Sequence, residues 1–344
     1  MTNNRLRWGL IGTSDIARTR MIPAMRACGD TVEAVHSSSA SRAAEFAAEN
    51  DIALGTAELQ QLLDAEIDAV YISTVNELHF SQTVAALEAG KHVLCEKPLA
   101  LSLEDAESMI ELARSMGLVL ATNHHLPGSP LHVAVRGLVE EGRIGTVLSA
   151  RVAHAVLLPE RLRGWRIGAD APGGGVTLDI TCHDAAVLNP LLGEPRRVVA
   201  FDASQGEWGG GAQDAVMTVI EYSGPNGETV LAQTHDAFTV GYEPTSLSVQ
   251  GTRGSITVLD AMTQDTAGTV LLVTEEGTEE IPTDTTGDLY EIVLEAFGAA
   301  VRGEGSPTAT GEDGLAAVRV ALAAQQSAQS GRAVDIAFET QEKR

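Results

Sequence analysis

Short apolar runs alternate with amphipathic stretches through the first third of the chain. Residues 7–11 (RWGLI) make a strand-length apolar run, and residues 15–28 return apolar side chains at helical spacing, with Pro23 marking a kink or a restart. Further strand-like runs fall at 32–36, 68–73 (DAVYIS), 92–95 and 118–122. Helical patterns occupy 77–89 and 103–116; Ser102 stands as the N-cap of the second, with Asp105 three residues on as a weak capping box. Strand and helix alternating at this spacing predict a parallel, doubly wound sheet.

After about residue 125 the rhythm changes. A helical pattern at 133–141 leads to a long strand at 146–156, and Gly173-Gly174-Gly175 opens another helical stretch. Strands with turn signals between them follow at 198–202, 215–222, 229–235, 246–250 and 255–259. Glu275-Glu276 and Glu279-Glu280 flank Gly277 as a solvated hairpin tip, and helical patterns at 289–301 and 312–327 close the chain. Strands in runs, then helices, predict an α+β domain with a large, mostly antiparallel open sheet. NHHLPG, residues 123–128, interrupts the pattern, so the expected domains are 1–124 and 125–344.

Composition narrows the classes. At 344 residues the chain exceeds one ordinary core and fits about two domains. A hydrophobic content of 44% with 20% charge describes a globular protein, and a net charge of −24 argues against nucleic acid, whose phosphates it would repel. Cys28, Cys95 and Cys182 are odd in number and scattered, which suggests reduced thiols in a cytosol; no CxxC pair suggests zinc, so no metal is expected. MTNNRLRWGL lacks the apolar core of a signal peptide, and no uninterrupted apolar run approaches the ~18 residues of a membrane span. A cytoplasmic location is expected, with a small-molecule partner.

The first chemistry-bearing stretch follows the first strand. Gly12-Thr13-Ser14-Asp15-Ile16-Ala17 reads G-x-S-x-x-A, an altered dinucleotide fingerprint in which Gly12 permits the tight turn and Ala17 allows close helix packing. Ser14 replaces the middle glycine, and its hydroxyl can donate to a phosphate oxygen. The helix N-terminus supplies N–H groups and a positive dipole end. Gly12, Thr13, Ser14, Asp15 and Ile16 are therefore cofactor-binding candidates; an ordinary strand–helix turn is the structural alternative. The second strand ends in His36-Ser37-Ser38-Ser39, with Arg42 close behind and no carboxylate before Glu45. Serine hydroxyls and a guanidinium suit a 2′-phosphate, which favours NADP(H) over NAD(H).

At residues 92–100, HVLCEKPLA, a buried-looking strand runs into Glu96, Lys97 and Pro98. Open α/β sheets bind ligands beyond the carboxyl ends of their strands, so Lys97 would project into the cofactor crevice and polarise a carbonyl or donate a proton. A second constellation is GGGVTLDITCHDAAV, residues 173–187, where Asp179 and His183 stand four apart and would share one face of a helix, with Asp184 off that face. A carboxylate beside an imidazole suits a proton shuttle near neutral pH. On spacing alone such a pair is more often a surface pair or a metal ligand than a catalytic one. His124, His125, His154 and His235 lack a comparable local partner.

Taken together GLIGTSDIA, ISTVNELH, AGKHVLCEKPLA, GRIG, GWR, GGGVTLDITCHD and ATGEDGL, spread from residue 9 to residue 315, resemble the Gfo/Idh/MocA oxidoreductase family. The resemblance implies an N-terminal Rossmann domain and a C-terminal α/β domain whose open sheet makes homo-oligomer contacts. It implies Lys97 and His183 as the catalytic pair with Asp179 assisting. It assigns Ser14, Ser37, Ser38 and Arg42 to the NADP end, and Thr74, Asn76, His79, Glu96, Asn123, Trp165 and Arg166 to the surroundings of the cofactor. It also implies a cis Lys97–Pro98 bond. The expected activity is NADPH-dependent reduction of a cyclic sugar ketone, His183 protonating the oxygen that Lys97 stabilises. The same parts run backwards in a sugar-alcohol or inositol dehydrogenase. A non-catalytic NADP(H) sensor and a redox-assisted glycosidase are the readings of other classes. After His124-His125-Leu126 the chain carries Pro127-Gly128-Ser129-Pro130 where the resemblance leads one to expect an arginine and an asparagine, which leaves the sugar open.

Overall fold

The computed structural model describes residues 5–168, 172–208 and 211–336; the expected limits at residues 1 and 344 lie outside them. In chain order, β1 (Arg7–Ile11) leads through a π-helical turn (Ala17–Met21) into α1 (Ile22–Ala27), then β2 (Thr31–His36), α2 (Ala40–Glu49), β3 (Leu54–Thr56), α3 (Leu59–Leu63) and β4 (Ala69–Ile72). A 3-10 turn (Asn76–Leu78) opens α4 (His79–Glu88), followed by β5 (His92–Cys95), α5 (Leu103–Met116) and β6 (Leu120–Thr122). After a 3-10 turn (Leu126–Gly128) come α6 (Pro130–Glu140), β7 (Val147–Ala155), α7 (Glu160–Arg163), a 3-10 turn (Gly164–Ile167), a π-helical stretch (Thr177–Thr181) and α8 (Cys182–Leu192). Seven strands follow: β8 (Glu194–Ala203), β9 (Ala215–Ser223), β10 (Thr229–Ala237), β11 (Ser246–Gly251), β12 (Gly254–Leu259), β13 (Thr269–Thr274) and β14 (Gly277–Ile281). The described chain closes on α9 (Leu289–Val301), α10 (Gly311–Ser330) and β15 (Val334–Asp335).

Contacts divide the chain into one unit of Met1–Gly128 with Thr286–Leu315 and another of Ser129–Thr285 with Ala316–Arg344. The crossing at Gly128 lies a few residues beyond the expected boundary, and the chain returns to its first unit for residues 286–315. That return is not announced by the hydrophobic pattern, which says where helices form and not where they pack.

In the first unit the strands are parallel in the order β3-β2-β1-β4-β5-β6. This doubly wound order reverses between β1 and β4, the switch point where such sheets leave a crevice. Ser102 caps α5 as expected, its Oγ accepting from Asp105 N at 3.1 Å. Pro23 sits in the first turn of α1, where a missing N–H costs nothing, so it restarts a helix instead of breaking one. The returning α9 supplies Tyr290, Val293, Leu294 and Phe297 to the same core as Trp8, Met21 and Met25. Trp8 and Phe297 are fully buried with ring centroids 5.2 Å apart, and Trp8 Nε1 donates to Asp30 Oδ2 at 2.8 Å.

The second unit is built on a nine-stranded sheet ordered β14-β13-β12-β11-β7-β10-β9-β8-β15. It is antiparallel throughout except where β7 and β10 run parallel. The expected hairpin across Gly277 is β13–β14. Alternation sorts the faces: Ala150, Val152, Val216, Ile220, Val230 and Ala232 are buried, while Val199, Phe201, Met217, Val219 and Leu231 are exposed. The π-helical stretch before α8 packs on β10, and α8 packs on β7.

Candidate active site

The turn after β1 is as tight as its sequence requires. Gly12 has φ +116°, and a Cβ there would stand 2.9 Å from the backbone C and O of Ser73 at the end of β4. Gly12 N donates to His36 O at 2.9 Å, which joins the ends of β1 and β2. Ser14 also has local partners. Its hydroxyl donates to Ser73 Oγ at 2.8 Å and accepts from Ala17 N at 3.1 Å, so it caps the helix. The backbone of the Thr13, Ser14, Asp15 and Ile16 turn opens the helix, the kind of N-terminus that can receive an anion. Asp15 Oδ1 pairs with Arg18 Nη2 at 3.1 Å. The geometry fits a dinucleotide: a glycine cradle that any side chain would fill, at the switch point of the sheet.

At the end of β2, Ser37 is buried and its N–H donates to Thr56 O at 3.1 Å. Ser39 caps α2, its Oγ accepting from Arg42 N at 3.4 Å. The Arg42 guanidinium, exposed on the first turn of that helix, donates to Ser38 Oγ at 2.9 Å. Ser38 and Arg42 thus stand together just beyond the carboxyl end of β2.

The end of β5 is braced from behind. Glu96 Oε1 accepts from Tyr71 OH and from Asn123 Nδ2, both at 2.6 Å. Burial, then the charge of Glu96, raises the Tyr71 phenol well above its ordinary range, so it stays a donor. Asn123 N donates to Cys95 O at 2.7 Å. These bonds tie β4, β5 and the strand after α5 into one rigid edge from which Lys97, half-buried, projects, and the Lys97–Pro98 bond is cis. His79 is wholly enclosed, with Nδ1 2.9 Å from Pro98 O and Nε2 3.3 Å from Thr74 O. Burial lowers its proton affinity. It therefore braces the Pro98 and Thr74 backbone. Thr74 Oγ1 donates to Gln82 Oε1 at 2.6 Å, and Asn76 is buried one turn away. His124, pushed down to about 3 by burial and then by the Lys97 ammonium, is a neutral neighbour of that lysine.

Gly128, one of the residues that depart from the resemblance, has a physical reason for being glycine. A Cβ there would stand 2.6 Å from Thr308 Cγ2 and 3.3 Å from Ile292 Cγ2 of the returning segment. The ring of Tyr290, on the same segment, lies 5.1 Å from that of His125.

In the second unit, Asp179 and His183 are both buried, but Asp179 lies in the π-helical stretch and His183 in α8. The wider winding of a π segment means that the four-residue reckoning of a regular α-helix does not hold across the pair. Asp179 Oδ2 accepts from Arg166 Nε at 3.1 Å, and the Arg166 guanidinium stacks on Trp165 at 4.7 Å. Gly175 N donates to Arg166 O at 2.8 Å, so the GWR and GGGV segments are locked together. Arg163 stacks on Trp208 at 4.2 Å, and Trp208 Nε1 donates to buried Asp214 Oδ2 at 2.6 Å.

Asp184, off the expected face, is completely buried, and its Oδ1 lies 2.7 Å from His154 Nδ1. The His154 and His183 rings stand 6.1 Å apart. His154 therefore has a partner 30 residues away in sequence, beyond the reach of local spacing. The available signal was periodicity of two: His154 and Asp236 fall on the inward positions of otherwise apolar strands. Among the described residues no group of three or more His, Cys, Asp and Glu is arranged to hold a metal ion, and no helix is long and apolar enough to cross a membrane.

Residues 6–124 match the NAD-binding Rossmann fold of an oxidoreductase family, and residues 136–336 match the C-terminal alpha/beta domain of the same family. The chain is 47% identical over 332 residues to 1,5-anhydro-D-fructose reductase of Ensifer adhaerens, covering 96% of this chain and 98% of the relative. It is 30% identical over 331 residues to D-xylose 1-dehydrogenase (NADP(+)) 2 of Haloferax volcanii, covering 96% and 99%. The structure of a variant 3-ketoreductase from Actinomadura kijaniata, in complex with TDP-benzene and NADP, superposes with a TM-score of 0.81 at 26% identity, covering 94% of this chain and 98% of the other.

Proposed function

The chain belongs to the Gfo/Idh/MocA oxidoreductase family, and from that premise we propose that it is an NADPH-dependent reductase of a cyclic sugar ketone of the 1,5-anhydro-D-fructose type. The observation that carries the reading is the likeness to a reductase of that sugar along 96% of the chain. Bound NADPH supplies the hydride. Lys97 stabilises the negative charge that develops on the carbonyl oxygen, and His183 delivers the proton that oxygen takes up. Asp179, already held by Arg166, receives a sugar hydroxyl and limits the motion of the His183 turn. Ser38 and Arg42 grip the 2′-phosphate that separates NADPH from NADH.

The 30% likeness to an NADP-linked xylose dehydrogenase favours a second reading, in which the same groups work in reverse: His183 accepts a proton from a sugar hydroxyl as the hydride leaves. One panel separates the two, and also excludes a sensor without turnover. Sugar ketones with NADPH and NADH, and aldoses and polyols with NADP and NAD, are followed at the nicotinamide absorbance. Rapid NADPH oxidation with 1,5-anhydro-D-fructose is expected. Turnover only in the oxidative direction with aldoses transfers the protein to the second reading, and tight NADP(H) binding with no turnover on any sugar makes it a sensor.

The protein further associates with a second copy of itself through the outer face of its second-unit sheet. That face is unusually apolar for an exposed surface, with Phe201 73% and Met217 57% exposed and paired across β8 and β9.

A further inference from the structure

The inner face of the nine-stranded sheet carries polar groups for which hydride transfer has no use. Parallel register sets Asp236 of β10 directly beside His154 of β7, both pointing inward, and α8 brings Asp184 onto the same face. Asp184 Oδ1 lies 2.7 Å from His154 Nδ1. Thr181 Oγ1 and Thr234 Oγ1 donate to Asp236 Oδ2 at 2.5 and 3.2 Å, and Thr234 in turn meets Thr218 Oγ1 at 3.0 Å. One oxygen of each carboxyl group, Asp184 Oδ2 and Asp236 Oδ1, is enclosed with no hydrogen-bond partner among the described residues. The two carboxyl groups are gathered at one imidazole, Asp236 as the register partner of His154 and Asp184 as its hydrogen-bond partner. Two ionised carboxylates facing each other away from water would repel strongly. A single proton between them removes the repulsion and satisfies both orphaned oxygens.

We propose that Asp236 and Asp184 share one proton, resident on Asp236, and that the charge left on Asp184 acts with His154 as a positioning unit that keeps the neighbouring His183 imidazole protonated. This rests on the reading of His183 as the proton donor. The ring of His154 stands 6.1 Å from that of His183 at 49°, close enough for its orientation and charge to be felt. The placement of the proton agrees with the surroundings. Asp236 is driven well above the carboxylate range by burial and then by the charge of Asp184. Asp184 is pushed up to about 7 by burial, opposed by the bond from Asp236. The titratable side chains packed nearby on α6 and β9 are His132, Arg136 and Tyr222. His132 on α6 is pushed down to about 4 by burial and lies against Ala261 O, with Arg136 beyond it. Tyr222 on β9 is raised by burial and donates to Asn189 Oδ1.

Asparagine substitutions at the two carboxyls give unequal results if the proton sits where we place it. In Asp236→Asn the amide donates to Asp184 as the acid did, and its carbonyl accepts from Thr181 and Thr234. In Asp184→Asn the charge itself is lost. Asp184→Asn should therefore lower kcat roughly ten- to a hundredfold, the loss typical of a bond to a charged group, and move the alkaline limb of the kcat/KM profile to lower pH. Asp236→Asn should leave that limb in place. Both carboxyls have folded-state proton affinities above the unfolded ones, so stability is full at low pH and is lost as pH rises through about 7, the value for Asp184. Asp236→Asn removes part of that loss, and its thermal midpoint above neutral pH should exceed that of the unsubstituted protein.

Equal effects of the two substitutions, or a greater loss with Asp236→Asn, overturn the placement of the proton. An unmoved alkaline limb in folded Asp184→Asn overturns the link to His183. Should Asp184→Asn fail to fold, infrared spectra decide: a protonated-carboxyl band above neutral pH that disappears in Asp236→Asn supports the pair, and its absence in the unsubstituted protein refutes it. His183→Ala serves as the separate control. Normal turnover there sinks the acid assignment, while the contrast in pH-dependent stability still judges the carboxyl pair.

Discussion

On the proposed function, Arg42 is the side chain on which the choice of nucleotide turns. Its guanidinium is exposed at the start of α2, held to Ser38 Oγ at 2.9 Å, with no carboxylate on the serine-rich turn before it. A guanidinium so placed adds binding only when a phosphate is present to receive it. Arg42→Ala should raise the KM for NADPH roughly tenfold or more, the weight of a hydrogen bond to a charged group, and leave the KM for NADH nearly unchanged. Steady-state kinetics with the two cofactors check this, and an equal rise for both would show that Arg42 serves the loop and not the 2′-phosphate. Ser14 makes the complementary point. A hydroxyl at the mouth of a phosphate loop looks like a ligand, and here it also orders the turn through the cap on Ala17 N and the bond to Ser73.

Among the elements, α9 matters beyond its length. Phe297 is fully buried and packed against Trp8, with Met21 and Met25 in the same core. Phe297→Ala should cost about 3–5 kcal/mol of first-unit stability, measurable by urea unfolding, and a loss under about 1 kcal/mol would show that α9 is peripheral. The helix itself is legible in the sequence, since Leu289–Val301 has a clear apolar stripe; its destination is not. Strands β1 and β5, the cap at Ser102 and the alternation in β9 and β10 are equally legible because each rests on local periodicity or local hydrogen bonding. α2, β3 and α3 go unannounced. α2 buries only Ala43, Phe46 and Ala47, too thin a stripe to stand out, and β3 is three residues around Gly55, where a Cβ would come 2.4 Å from Ala43 O. The π-helical stretches are hidden for another reason: a pattern read at 3.6 residues per turn cannot register a local widening. Of the candidate site, the glycine turn and the lysine edge can be read directly, whereas the His154–Asp184–Asp236 cluster exists only once β7 and β10 are neighbours.

At the scale of the whole molecule, a net charge of −24 coexists with an apolar sheet face bearing Val199, Phe201, Met217, Val219 and Leu231. Such a charge opposes association, so a pairing through this face must rest on apolar burial. Phe201→Glu with Met217→Glu should convert an associated protein to monomers in light scattering at ordinary salt, with its far-ultraviolet spectrum intact; an unchanged mass would assign another face or none. The division of the chain carries a different consequence. Trp8, Met21 and Met25 leave the ribosome long before Phe297 does, because residues 129–285 are made in between. At about 5–20 residues per second, the interval between Met25 and Phe297 is roughly fifteen to fifty seconds. Throughout it the nascent nucleotide domain has a greasy flank without its cover, a standing invitation to chaperones, and the domain begun first stays open until nearly the whole chain has been made.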